Sequence, residues 1–263
     1  MDYMLPEVVI QIFVFMFAVT IGSFLNVCIY RIPEKQSIVF PPSACPECKT
    51  PIRWFDNIPI ISYLILAGKC RVCKTRISIK YLLIEALTGL LALAIYFVYG
   101  LSPDFLIYFS FTCVLIVISF IDLKYQIIPD KISLPAIPLG FAASFVLADI
   151  TYVDSLIGIA AGGGVLIAVT VGFLLITGKE GMGGGDVKLL AMIGAFLGWK
   201  SVVYVLIVSS FVGAVIGVIY LSMAGKEKSD PIPFGPFLAL GALSYLFFGQ
   251  WVIDLYMGTL WTE

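Results

Sequence analysis

Two aspartates and four cysteines hold most of the chemical potential of this 263-residue chain. Asp122 sits in Ile121-Asp122-Leu123-Lys124, followed by Ile128-Pro129-Asp130. Asp186 closes the run Gly181-Met182-Gly183-Gly184-Gly185 and precedes Val187-Lys188. Both adjoin long apolar runs, where ionisable groups are costly and seldom incidental. The chain has no histidine, which excludes His-based triads and His-ligated metals. A carboxylate pair is left for hydrolysis, one member activating water and the other protonating the departing group. Asp122 falls near a helix C-terminus and Asp186 near a helix N-terminus, so the helix dipoles predict the charge on Asp186 and the proton on Asp122. The bland alternative for each is a helix cap or a solvated loop charge, and Asp130 reads as a cap. The glycines let a substrate backbone come close, whereas the phosphate-loop pattern G-x-x-x-x-G-K-[ST] is absent.

The cysteines form Cys45-x-x-Cys48 and Cys70-x-x-Cys73, with 21 residues between the pairs. A two-residue gap lets both thiolates of a pair face one tetrahedral ion, and two such turns complete a closed four-cysteine site. CPECKTPI at 45–52 and CRVCKTRI at 70–77 share their cysteines, the Lys-Thr that follows and the Ile, as paired metal knuckles would. Zinc, or iron in a rubredoxin-like site, is the expectation; disulfides or free thiols are the alternative. A closed site leaves no open coordination position, so its metal is structural. Cys28 and Cys113 lie in apolar runs and read as small packing residues.

These residues need a frame, and composition names it. The chain is 60% hydrophobic and 13% charged, with a mean hydropathy of +1.05. Soluble domains carry about 25% charged residues, so a water-soluble enzyme, a disordered segment and a nucleic-acid binder driven by basic charge are excluded. Crossing the hydrocarbon takes roughly 20 apolar residues as helix. Spans are expected at about 8–30, 80–100, 104–122, 131–149, 153–177, 187–199, 201–223 and 236–257, the sixth being of half length. The fold class is therefore an all-α polytopic membrane protein, with about eight transmembrane helices and a small cytoplasmic four-cysteine metal-binding loop. Its divisions are a first helix over 1–30, the loop over 31–80 and a membrane domain over 81–263. Gly158-x-x-x-Gly162 and Gly213-x-x-x-Gly217 predict close helix approach.

Basic residues orient the spans, because cytoplasmic loops collect Lys and Arg. Segment 31–80 holds nine of the sixteen. Placing it inside, with eight crossings, also puts Lys124, Lys131, Lys179, Lys188, Lys226 and Lys228 inside, leaving only Lys200 outside. Asp2, Glu7, Asp104, Asp149, Asp154, Asp254 and Glu263 fall outside with both termini. Both catalytic candidates then lie at the cytoplasmic rim. The leading residues lack a basic region and a small-residue cleavage site, so the first span reads as a retained helix.

Taken together the motifs resemble a known family. Gly183-x-Gly185-Asp186 resembles the GxGD signature of polytopic aspartyl proteases. The string from Gly181 to Ala191, with Gly194-Ala-Phe-Leu-Gly-Trp199, resembles the bacterial type IV prepilin peptidases. Asp122 with Ile128-Pro129-Asp130 is similar to that family's first aspartate motif, and Gly22-Ser-Phe-Leu-Asn26-Val27, Tyr30-Arg31 and Pro33 to its amino-terminal block. The resemblance implies a bifunctional enzyme of the bacterial inner membrane. It would cut the basic leader of type IV prepilins and type II secretion pseudopilins after glycine, on the cytoplasmic side. It would then methylate the new N-terminal residue with S-adenosylmethionine. Asp122 and Asp186 take the catalytic positions, and Cys45, Cys48, Cys70 and Cys73 take the metal positions, zinc being the expected ion.

No glycine-rich strand-to-helix fingerprint of a soluble methyltransferase is present. Asn26, Arg31 and Glu85, polar groups near the cytoplasmic ends of the first two spans, are the candidates for the methyl-donor pocket; their alternative roles are interfacial anchoring and helix-to-helix hydrogen bonding. The implied partners are a prepilin or pseudopilin and membrane lipid, with no nucleic acid. Two other functions compete: a transporter, against which the aspartates' place at span ends argues, and a protease without methylation, against which the cysteine loop argues.

Overall fold

A computed structural model describes residues 4–178, 183–224 and 232–260. Asp2, Lys179, Gly181, Met182, Lys226, Lys228 and Glu263, used above, lie outside the described residues. Among those described the structure is helical without strands: α1 Met4–Arg31, α2 Ile61–Ile65, α3 Ile79–Tyr99, α4 Pro103–Tyr125, α5 Asp130–Ala143, α6 Tyr152–Thr177, α7 Gly184–Leu197, α8 Trp199–Ala224 and α9 Gly235–Leu260. Each of the eight expected spans is a helix. Six of them, α1, α3, α4, α6, α8 and α9, are long and apolar enough to cross a membrane.

The other two are short, α5 shorter than expected and α7 of the half length expected. α5 ends at Ala143, and carries Pro135 and Pro138, each of which removes a backbone donor. α7 has 14 residues, about 21 Å against a hydrocarbon core of about 30 Å. Its setting makes that length tolerable. Residues 189–197 are all buried, and α7 packs on α5, α6, α8 and α9, so protein surrounds it instead of lipid.

Compact packing divides the chain into residues 1–117 and 118–263, the boundary falling inside α4. In the first unit α1 and α3 pack along their length. A Cβ on Gly22 would lie 2.9 Å from Glu85 Cα, and one on Gly89 2.6 Å from Phe15 and Val19 side-chain atoms, so the absence of a side chain sets the approach. Between these helices, residues 32–78 carry a short 3-10 turn, Trp54–Asn57, and α2. Within that segment only Cys45, Ser62 and Gly68 are buried. A loop without an apolar core needs another source of stability.

In the second unit the closest approach is between α6 and α7. A Cβ on Gly158 would run into the Gly194 carbonyl, and one on Gly162 would lie 2.5 Å from the Leu190 oxygen. Ser155 Oγ adds a buried hydrogen bond to the Ala195 carbonyl at 2.8 Å. The small-residue expectation holds at this crossing. It does not hold at Gly213 and Gly217, where the nearest atoms are the Phe237 ring at 3.4 Å and the Ile232 side chain at 3.7 Å, ordinary contacts with no backbone approach. Cys28 and Cys113 are buried, as packing residues would be.

Candidate active site

Asp122 lies in the last turn of α4 and is 5% exposed. The helix ends just beyond it because Gln126 takes φ 55°, and the Gln126 N–H closes on the Asp122 carbonyl at 2.9 Å. Ile127 and Ile128 then run out to Pro129, which stands at the N-cap of α5 with φ −66°. Asp130 is therefore inside the first turn and not the cap. Its carboxylate pairs with Lys188 at 2.6 Å, tying the start of α5 to the start of α7.

Asp186 lies in the first turn of α7, whose N-cap is Gly183. Burial, and then the negative charge of nearby Asp122, push its carboxyl up to about 6. The dipole expectation had Asp186 as the readily charged member. In the folded unit, desolvation and a like charge outweigh the helix end.

The beginning of α9 completes this group. Gly235 donates its backbone N–H to Asp122 Oδ2 at 3.0 Å, so that oxygen is committed as an acceptor. A Cβ on Gly235 would lie 2.6 Å from the same oxygen and 3.4 Å from Ile128 Cδ1. A Cβ on Gly185 would lie 2.8 Å from Ile128 Cβ. Ile128 thus sits against the two glycines that adjoin the two aspartates. Sequence reasoning overlooked Gly235, and gave Ile128 no role beyond its place in the first aspartate motif. The signal at Gly235 was present in Pro233-Phe234-Gly235-Pro236, a helix-breaking string just ahead of an apolar run; the only signal at Ile128 was its place before Pro129-Asp130.

In the first unit the four cysteine sulfurs all lie within 4.8 Å of one another. Cys45 and Cys73 Sγ are 3.7 Å apart, and Cys48 and Cys70 Sγ 3.9 Å. Tetrahedral zinc with Zn–S of about 2.3 Å requires sulfur–sulfur edges of about 3.8 Å, so the cluster fits such an ion; a disulfide would need about 2.05 Å. The internal repeat reappears in three dimensions. The Cys45 and Cys70 N–H groups donate to the Thr50 and Thr75 carbonyls at 3.0 and 2.9 Å, and Lys49 and Lys74 take φ 57° and 60°. Thr50 and Thr75 hydroxyls lie 3.3 and 3.4 Å from Cys48 and Cys73 Sγ, within reach of a thiolate.

The three remaining candidates lie around α1 and α3. Asn26 Nδ2 donates to the Tyr81 carbonyl at 3.2 Å and the Gly22 carbonyl at 3.3 Å, joining the helices. Glu85 is buried, accepts the Ile60 N–H at 2.8 Å and bonds to Ser23. Ile60 is a β-branched residue at φ 59°, a strained conformation that this bond helps to hold. Arg31 donates to the Ser37 and Pro41 carbonyls at 2.9 and 2.8 Å, folding the loop back on α1. Arg31 also lines a cavity of about 340 Å³ with Ser23, Phe24, Val27, Val39 and Asn57. Asn26 and Glu85 do not line it.

Comparison with known proteins agrees with these features. Residues 16–99 match the family described as Bacterial Peptidase A24 N-terminal domain, and residues 109–218 the Type IV leader peptidase family. Among curated relatives, the prepilin leader peptidase/N-methyltransferase of Aeromonas salmonicida strain A449 is 38% identical, covering 94% of each chain. Those of Pseudomonas aeruginosa, 38% identical over 90% of each chain, and Legionella pneumophila, 34% identical over 92% of this chain and 93% of the relative, carry the same name. No solved structure matches. Two neighbouring aspartates, a four-cysteine cluster and near full-length similarity lead to one conclusion: this chain belongs to the type IV leader peptidase family.

Proposed function

We propose that this protein cleaves the basic leader of type IV prepilins and type II secretion pseudopilins after glycine, and N-methylates the new terminus. The observation that carries the reading is that Ile128 packs against both Gly185, the neighbour of Asp186, and Gly235, whose N–H bonds to Asp122, so carboxyl groups from two separate helices adjoin one site. The loop over 31–80 serves methylation and residues 81–263 form the peptidase. The protein works in the bacterial cytoplasmic membrane, with both termini outside and the aspartates at the cytoplasmic rim. There the apolar helix of a prepilin would bring the leader junction to them.

Hydrolysis needs one proton shared by the pair. Asp122, whose Oδ2 is held as an acceptor by Gly235, takes a proton from water, and that water's oxygen attacks the scissile carbonyl carbon. Asp186, whose carboxyl the site raises to about 6 and which holds its proton below that pH, gives it to the amide nitrogen as the C–N bond breaks. The leader leaves with a new carboxylate, the mature chain with a new amine. This assigns acid and base the opposite way from the dipole argument. Gly235→Ala tests the arrangement, since its methyl would displace the Asp122 carboxylate: kcat should fall about 10- to 100-fold while the helical fold is retained.

S-adenosylmethionine would supply an electrophilic methyl. A cavity of about 340 Å³ is at the small end of ligand sites, and Arg31 and Ser23 give it polar groups beside the apolar Phe24 and Val27. We assign Arg31 to that pocket, and Glu85, through its bond to Ser23, and Asn26 to its support. The four cysteines hold zinc as a structural ion.

The deciding experiment is mass spectrometry of a prepilin with a Gly-Phe junction after incubation with purified enzyme, with and without donor. Leader loss, and one added methyl when donor is present, is the expected result. Cleavage without methylation would remove the second activity; no leader loss from a folded enzyme would overturn the reading.

A further inference from the structure

Ile128 packs against a glycine in each half of the proposed active site, and neither role discussed so far uses it. Its Cβ would stand 2.8 Å from a Cβ on Gly185, the residue before Asp186. Its Cδ1 would stand 3.4 Å from a Cβ on Gly235, the residue bonded to Asp122 Oδ2. Both neighbours are glycines, so the isoleucine rests on bare backbone at the start of α7 and of α9. Its position is also constrained from behind. Pro129 restricts the backbone of the residue before it, and the Asp130–Lys188 pair fastens the same short segment to α7.

Because Ile128 packs on the glycine beside each aspartate, it adjoins the ground that a peptide bond reaching both carboxyl groups would occupy. The residue that supplies the scissile carbonyl enters with its Cα one bond from the reacting carbon. Any side chain on it must find room among Ile128, the Gly185 backbone and the Gly235 backbone. We infer that Ile128 is the specificity-determining side chain of the cleavage site, excluding every residue with a bulky side chain from the position before the cut. The inference rests on the leader-cleavage reading and gives its glycine requirement a physical source in one residue. Selection by exclusion costs the correct substrate nothing, because glycine has no atom where Ile128 stands.

The test is a series of prepilin substrates with glycine, alanine or valine before the cut, processed by wild type, Ile128→Val and Ile128→Ala. In the wild type kcat/KM should fall stepwise with side-chain size, to about 1% or less for valine relative to glycine. Ile128→Ala should raise the valine-to-glycine ratio at least about tenfold, and Ile128→Val, which removes the Cδ1 beside Gly235, by a smaller factor. A general disturbance of the fold would lower all three substrates together and leave their ratios alone. If Ile128→Ala loses all cleavage, the Ile128→Val ratios decide. Unchanged ratios in variants that still cleave the glycine substrate would overturn the assignment and leave the peptidase reading standing. Equal wild-type cleavage of all three substrates would also overturn it. Failure of the wild type on the glycine substrate would overturn both.

Discussion

Asp186→Asn is expected to lower kcat for leader cleavage by at least about 10³-fold, and Asp122→Asn by a similar factor. Asparagine keeps the size and most of the hydrogen bonding of the carboxyl group but can neither accept nor release the proton. Folding should survive both changes, because each removes the possibility of a buried charge. The pair is expected to fail as a unit, so the double variant should be little worse than either single one. Retained activity in one single variant would show that the two carboxyl groups do not share the reaction.

The pH dependence follows from the same site. Asp186 ionises at about 6 in the unliganded enzyme, raised by burial and by the charge on Asp122, with the Asp130–Lys188 ion pair alongside. Below that value it holds the proton it must give to the leaving nitrogen; above it the proton is lost. The kcat/KM profile should therefore have its falling limb centred near pH 6, while kcat, measured with substrate covering the site and excluding water, should fall at higher pH. A pH–rate series on purified enzyme in detergent checks both. A kcat/KM profile still rising through pH 7 would assign the resting proton elsewhere.

Removing the metal should have the second large effect. Residues 32–78 bury only Cys45, Ser62 and Gly68, so no apolar core remains to hold the segment once the sulfurs are released. In small metal-held domains the ion supplies about 10 kcal/mol or more of folding free energy. One metal per chain is expected in the purified wild type by elemental analysis. Cys45→Ser with Cys48→Ser should abolish it, and protease should then cut within 32–78 at least about tenfold faster. Methylation should fall below about a tenth, because the loop residues that wall the 340 Å³ cavity lose their positions. Leader cleavage should stay within about fivefold, since both aspartates belong to the unit over 118–263. A metal-free wild type that resists protease would reject the structural role.

Much of this protein was legible without coordinates because membranes and metals impose strong local rules. Each apolar run had to become a helix, since hydrocarbon offers no partner to backbone amides. The Cys-x-x-Cys repeats predicted a four-sulfur cluster because the spacing alone turns both thiolates of a pair to one side, and the two knuckles do fold alike. The aspartates could be picked out one by one, as costly groups at the ends of apolar runs. Their relation could not. Which of them holds the proton depends on burial and on the opposing charge, and helix-end dipoles read from sequence include neither. Asp130 read as a cap from its place after a proline, yet its partner is Lys188, 58 residues on. Gly158 and Gly213 begin the same G-x-x-x-G pattern, but only the first meets another backbone, because only it faces the short buried helix α7. Gly235 and Ile128 became visible only in the fold. A glycine that lends its N–H, and an isoleucine whose importance is the space it fills, have no chemistry of their own; it comes from what three separate helices bring beside them.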